Sequence, residues 1–397
     1  MKILFIDENK VVNYAGGIEK VLCDFANEFT KRGHEVSLVC MDAEVGKPFF
    51  PLDEKVRFIN LASKTEYYGD FFDYRWTLKK LQREVSKLWD KTHDCKKNYL
   101  FHGFIQRLDV WLREIHPDVV ISIGPDSALL AQQCPHIKNI PIISMCHIVP
   151  RIEHFLPEHI AAWQKCKIVQ VLQPSFVAQM QDLGIKNLIT IPNCVKQVDD
   201  KMVQCARGNI EKKLILVARL EPIRKRQHLA IHAFSQIARK YPEWKLEMYG
   251  TVGNKRYYKQ LQRLIAEKNL GNQVSINGPV KDLQPIYQHA AILLSTSDYE
   301  SFGLSVVEAM SAGLPVIAFR DCYPDDYIVA DGKTGVLSEN SVEAFAQSMD
   351  KLMGDETLRE ICGRNAHEYA KKFAPDKIWN QWNYLLQECV EERMQGI

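Results

Sequence analysis

A chain of 397 residues, 46% apolar and 25% charged, is too long for one ordinary α/β domain and comfortable as two soluble globular ones. Its 51 basic and 49 acidic side chains leave a net charge of +2, which excludes a global pull toward nucleic acid or an anionic surface. Eleven cysteines (23, 40, 95, 134, 146, 166, 194, 205, 322, 362 and 389) form no C-x-x-C pair, and several sit inside apolar runs, so they read as reduced thiols of a cytoplasmic protein.

The opening MKILFIDENK has too short an apolar run for a signal peptide and reads as a first strand, and no apolar run is long enough to span a membrane. A helix is expected from about Ile18 to Arg32, followed by the strands HEVSLVC, PDVVISIG, IPIISMC, KIVQVL and LITIP. That alternation specifies a parallel sheet covered on both faces. It pauses between about Gly46 and Trp111, which reads as an insertion or an acceptor-side region. Within it, Arg75 to Lys97 carries eight cations against three anions with Trp76, Leu81, Leu88 and Trp89 interleaved, a pattern suited to peripheral contact with an anionic membrane.

The polar stretch KQVDDKMVQCARGNIEKK is the expected linker. A second alternation follows: KLILVAR, a helix near Gln227 to Tyr241, KLEMYG, a helix near Lys255 to Asn269, QVSINGP, a short helix near Leu283 to His289, AAILLST, a helix from about Leu304, LPVIAF and TGVLS. The chain therefore divides into an N-terminal domain over 1–200 and a C-terminal domain over 206–375. A last helix, about 376–397, presents Trp379, Trp382, Leu385, Leu386 and Val390 on one apolar face.

Two segments carry chemistry. In STSDYESFGLSVVEAMSAGLPVIAF a buried strand ends at Ser295, a polar loop carries Glu300, and Gly303-Leu304 opens a helix containing Glu308. A helix start offers free N–H groups and the positive end of a dipole to a diphosphate, with a carboxylate on either side to accept sugar hydroxyls. In VARLEPIRKRQHLAIHAF, Arg219 ends a strand and Lys225 lies beyond a proline-containing loop, two cations at the sheet edge where such folds bind ligands. They would offset charge developing on a departing diphosphate without a metal.

With these residues in view, the chain resembles glycosyltransferase family 4, the retaining enzymes of the GT-B fold: two doubly wound Rossmann-like domains facing across a deep cleft. The resemblance rests on Glu300-x7-Glu308 with its SFGLSVV, on Arg219 followed six residues later by Lys225, on Gly16-Gly17-Ile18-Glu19, and on His147 after a buried strand. It implies that Arg219 and Lys225, helped by backbone N–H groups of Gly303 and Leu304, hold the donor diphosphate, with Ser301 and Phe302 also in the donor site. Glu308 would bind the ribose and Glu300 the transferred sugar. Gly16 and Gly17, supported by Glu19, would close over the phosphates, and His147 would touch the sugar from across the cleft. Gly278 to Lys281, including Val280, would lie near the base. Two departures from the family pattern are Cys194 in IPNCV, in place of a glycine, and Arg224 beside Lys225, which leaves either able to make the main phosphate contact.

The implied activity is retaining, metal-independent transfer of a hexose from a nucleotide-diphosphate sugar to a hydroxyl of a glycan, a lipid-linked saccharide or a cell-envelope polymer. A uridine diphosphate donor and a place at the inner face of the plasma membrane are favoured. The competing readings are an inactive nucleotide-sugar-binding protein and a sugar-nucleotide epimerase of the same architecture, which would need additional acid and base carboxylates in the N-terminal half.

Overall fold

The structure is a computed structural model that describes residues 1–8, 11–14, 16–42, 44–62, 95–151, 155–203 and 211–395. The basic stretch beginning at Arg75 lies outside the described residues as far as Asp94. Two all-parallel sheets organise the rest. The first has the order β3-β2-β1-β4-β5-β6-β7, with β1 Lys2–Asp7, β2 Glu35–Cys40, β3 Arg57–Asn60, β4 Val119–Ile123, β5 Ile142–Cys146, β6 Ile168–Val171 and β7 Leu188–Thr190. The second has the order β10-β9-β8-β11-β12-β13, with β8 Lys213–Val217, β9 Lys245–Tyr249, β10 Val274–Ile276, β11 Ile292–Ser295, β12 Val316–Phe319 and β13 Gly335–Ser338. This is the GT-B architecture.

The central strands are apolar without interruption because helices cover both faces. Successive side chains leave on opposite sides: Ile3 and Phe5 join one core, Leu4 and Ile6 another. The helix Gly17–Lys31 fits the first of these with Val21, Leu22, Phe25, Ala26 and Phe29, a helical stripe of buried residues. Onto the same face comes the helix Pro375–Gln395. Its Trp379 and Trp382 rings stand edge-on to Phe25 at 4.6 and 5.0 Å, and Arg393 donates to the Asp118 carbonyl at 3.0 Å. Burying each indole removes enough apolar surface to contribute roughly 4–6 kcal/mol at most.

The chain crosses between the sheets twice, side by side. Val195 N–H donates to the Phe373 carbonyl at 2.9 Å, and Asp200 meets His367 Nε2 at 2.8 Å and Lys371 at 3.2 Å.

The region from Gly46 to Trp111 corrects the expected pause in rhythm. It contains β3 and most of a helix, Cys95–Ile115, whose Phe104, Leu108, Leu112 and Ile115 are buried at helical spacing. Two further helices, Val342–Gly354 and Glu356–Ala370, back the second sheet. Among the described residues no helix is long and apolar enough to cross a membrane, and the described cysteines are free thiols.

Candidate active site

Each sheet reverses its strand order at one neighbouring pair, β1/β4 in the first and β8/β11 in the second. Ligands of open parallel sheets bind beyond the carboxyl ends of strands at such switch points, because the two flanking loops part there. Here the loops from both sheets border one cleft of about 650 Å³. Gly16, Gly17, Glu19 and His147 reach it from the first sheet, and Arg219, Arg224, Lys225, Val280, Glu300, Ser301, Gly303, Leu304 and Glu308 from the second.

Two expected members are placed elsewhere. Phe302 is a correction: its ring is 1% exposed and packs edge-on against Phe373 at 5.1 Å, so its side chain serves the core. Gly278 stands just outside the cleft lining, where its carbonyl accepts the Gly250 N–H at 2.8 Å and turns the chain so that Val280 and Lys281 face the cleft.

The loops after β8 and β11 are laced together. Arg226 donates to the Thr296 and Ser297 carbonyls at 3.1 and 3.2 Å and pairs with Asp298 at 2.9 Å. Asp298 N–H donates to the Arg224 carbonyl at 2.7 Å, and Thr296 Oγ1 donates to the Lys225 carbonyl at 2.7 Å. This lacing holds Lys225 in an ion pair with Glu300, which also accepts from Ser297 Oγ at 2.7 Å. The neighbouring Arg224 lays its guanidinium over the Tyr299 ring at 4.7 Å. Arg219 donates to the Tyr14 hydroxyl and approaches Glu221 at 3.4 Å.

Gly303 has φ of 80°, and a Cβ there would stand 2.5 Å from the buried Tyr323 hydroxyl, so only glycine fits. The helix Leu304–Ser311 that follows has no side-chain cap, which leaves its leading N–H groups and dipole for an anion. Between Glu300 before this helix start and Glu308 one turn inside it lies room for a ligand with polar groups at both ends.

Two uncharged side chains of the first domain, His147 and Asn193, also border the cleft. His147 follows β5; burial pushes its imidazole down to about 4, so it is neutral near pH 7, and its Nε2 has no hydrogen-bond partner among the described residues. Asn193 Oδ1, also in the cleft wall, is likewise unpartnered. Such buried polar atoms are where ligand hydrogen bonds are expected. Glu19 curls back beneath Gly16, and burial raises its carboxyl to about 7 despite nearby Arg219.

Several residues around these were not anticipated. Lys20 pairs with Glu308, Tyr287 donates to the other Glu308 oxygen at 3.0 Å, and Gln173 donates to the Ser301 carbonyl at 2.7 Å from the opposite domain. Lys20 was signalled by its place one turn beyond Gly16-Gly17; Tyr287 and Gln173 carry no sequence signal. Carboxylates also exist in the N-terminal half. Asp7 ends β1 and Glu8 follows it; burial and Asp7 raise the Glu8 carboxyl to about 7, and Ser127 is bonded to it, yet neither lines the cleft. Asp200, His367 and Glu368 cluster at the domain junction, but both imidazole nitrogens are already taken, by Asp200 and by the Ser311 carbonyl at 2.6 Å.

Residues 15–197 match the family model "Glycosyltransferase Family 4" and residues 199–369 the model "Glycosyl transferases group 1". The exopolysaccharide phosphotransferase of Streptomyces coelicolor is 26% identical over 95% of this chain and 40% of its own length. The poly(glycerol-phosphate) alpha-glucosyltransferase of Bacillus subtilis is 29% identical over 46% of this chain and 27% of its own. The chain thus spans well under half the length of these two relatives. A crystal structure of S. aureus TarM in complex with Fondaparinux, alpha-GlcNAc-glycerol and UDP superimposes with a TM-score of 0.73 at 20% identity, covering 97% of this chain and 99% of that one. Two glycosyltransferase family models thus match the chain in succession, one over each domain of its GT-B fold.

Proposed function

We propose that the chain transfers a hexose, with retention of anomeric configuration, from a nucleotide-diphosphate sugar to a hydroxyl of a glycan, lipid-linked saccharide or cell-envelope acceptor. The observation that carries this reading is the convergence of Arg219, Lys225 and the start of the helix Leu304–Ser311 in one cleft, between Glu300 and Glu308.

In this reading the diphosphate lies at the helix start, Glu308 accepts from the ribose, Val280 and Lys281 border the base, and Glu300 accepts from the transferred sugar. Arg219 and Lys225 offset the charge that grows on the leaving phosphate, the work a metal ion does elsewhere. Of the two adjacent cations, Lys225 is the better phosphate ligand, since its ammonium is inside the cleft beside Glu300 while the Arg224 guanidinium rests on Tyr299. The bond from the anomeric carbon to the phosphate oxygen breaks, the acceptor oxygen attacks from the same face, and its proton passes to the departing phosphate oxygen. His147, neutral at working pH, serves as a hydrogen-bonding wall, so the step needs no dedicated protein base.

A uridine diphosphate donor is favoured because the relative of like fold, TarM, was crystallised with UDP. A cytoplasmic location, with the basic stretch from Arg75 against an anionic membrane, belongs to the same proposal; vesicle sedimentation unchanged by Lys79, Lys80, Arg83 and Lys87 to Glu would remove that part. A thermal-shift screen with uridine, guanosine and adenosine diphosphates should show one stabilising ligand. Donor turnover, insensitive to a chelator, should then fall strongly in Glu300→Ala and Lys225→Ala, and proton NMR of the product should show the donor's anomeric configuration. Near-normal turnover in both variants, or inversion, would overturn the proposal.

A further inference from the structure

Two helices enter the cleft N-terminus first, Gly17–Lys31 from the first domain and Leu304–Ser311 from the second. They approach closely: a Cβ on Gly17 would lie 3.4 Å from Leu304 Cδ1. Lys20 stands one turn into the first helix and Glu308 one turn into the second, and the two side chains form an ion pair across the domain boundary. Tyr287 holds the other Glu308 oxygen at 3.0 Å. The carboxylate assigned to the ribose is therefore engaged on both oxygens in the free protein, and one of its partners belongs to the opposite domain.

Asp24, one turn further along the Lys20 helix, and Asp282 line the cleft with Glu308, and all three carboxylates act on the Lys20 ammonium; Lys196 and Lys281 line the cleft as well. Burial, with Glu308 adding to it, raises the Asp24 carboxyl to about 6. An incoming nucleotide brings hydroxyls that compete with Lys20 for Glu308 and a diphosphate that attracts the freed ammonium. A lysine displaced from Glu308 meets both, because it stands one turn, about 5.4 Å, inside its own helix start, and that start lies against Leu304 of the second helix.

We propose that Lys20 is a donor-positioning residue: it bridges to Glu308 in the free protein, yields that carboxylate to the ribose, and turns its ammonium onto the diphosphate. The proposal rests on the donor site described under the proposed function and adds to it a cation from the opposite domain.

Calorimetric titration of the wild type, Lys20→Gln and Lys20→Arg with UDP, GDP, ADP and the three corresponding nucleosides tests it. Lys20→Gln leaves the Glu308 carboxylate, 16% exposed, without its cation and should melt below the wild type while staying folded at the titration temperature, and Lys20→Arg should keep the wild-type melting temperature. For whichever diphosphate the wild type binds, Lys20→Gln should weaken binding by about tenfold or more, the loss of one charge-assisted contact. The matching nucleoside should bind Lys20→Gln as well as the wild type or better, since its competitor for Glu308 is gone, and Lys20→Arg should restore most of the diphosphate affinity. Equal weakening of nucleoside and diphosphate, no weakening of either, or no rescue by arginine would overturn the proposal. A wild type that binds none of the three diphosphates would refute the donor reading itself, and this inference with it.

Discussion

The ion pair between Lys225 and Glu300 separates a structural role from a chemical one. Their side chains are 19% and 14% exposed, between a surface pair, which contributes at most about 1 kcal/mol, and a fully buried one, whose disruption costs about 3–5 kcal/mol. Lys225→Met should therefore cost about 2 kcal/mol by stranding the Glu300 carboxylate in a largely dry site. For a protein of 397 residues that lowers the melting temperature by about 2–3 °C. Adding Glu300→Gln removes the stranded charge, so the double variant should melt close to the wild type. Turnover should not follow stability. If the ammonium offsets charge on the leaving phosphate, Lys225→Met should lose about 10²- to 10³-fold in rate and the double variant should recover none of it. Scanning fluorimetry with initial rates of nucleoside diphosphate release measures both quantities on the same samples. A double variant that regains turnover along with stability would mean that the pair only holds two loops together.

Gly303→Ala combines a left-handed backbone with a Cβ 2.5 Å from the Tyr323 hydroxyl and should cost about 2–4 kcal/mol in urea unfolding, partly relieved by Tyr323→Phe. No destabilisation would mean that the helix start is not held as described. The Glu19 carboxyl, raised by burial to about 7 from its usual 4.5, retains in the fold a proton that the unfolded chain has released, so its contribution to stability falls as pH rises through that window. Glu19→Gln should accordingly melt above the wild type at pH 8 and by a smaller margin at pH 5, and equal margins would contradict the assigned burial. Trp382→Ala, at a side chain with no exposure, should cost about 3–5 kcal/mol, and chemical denaturation should show the N-terminal sheet yielding first. An unchanged transition would detach the last helix from that core.

The order of strands was legible because each central strand is a short apolar run bounded by turn residues, the pattern a doubly covered sheet imposes. β3 escaped because it is an edge strand: of Arg57, Phe58, Ile59 and Asn60 only Ile59 is buried, so neither alternation nor a continuous run marks it. The helix Cys95–Ile115 did have a signal, the four-residue spacing of Phe104, Leu108 and Leu112, but lysines and aromatics just upstream masked it. The residues of the second domain's site could be read because they crowd into two short segments after neighbouring strands. Phe302 shows the limit of such reading, since a motif names a stretch of chain and only packing decides which of its side chains turn inward. Contacts between domains, such as Lys20 with Glu308 and Gln173 with Ser301, join positions far apart in sequence and left no local trace.

The helix Pro375–Gln395 has a consequence for how the protein is made. Phe25 and Phe29 emerge early from the ribosome, but Trp379 and Trp382, which cover them, follow only after the whole second domain has been synthesised. From the end of the first sheet at Thr190 to Trp379 lie about 190 residues, so at about 5–20 residues per second the completed N-terminal sheet presents an uncovered aromatic face for roughly 10–40 s. The aromatic core of the first domain is therefore completed only by the last helix of the chain. Cutting the chain within the linker would release a sticky half-product, and a circular permutant that begins with this helix would shorten the exposure to the time needed for the first sheet alone.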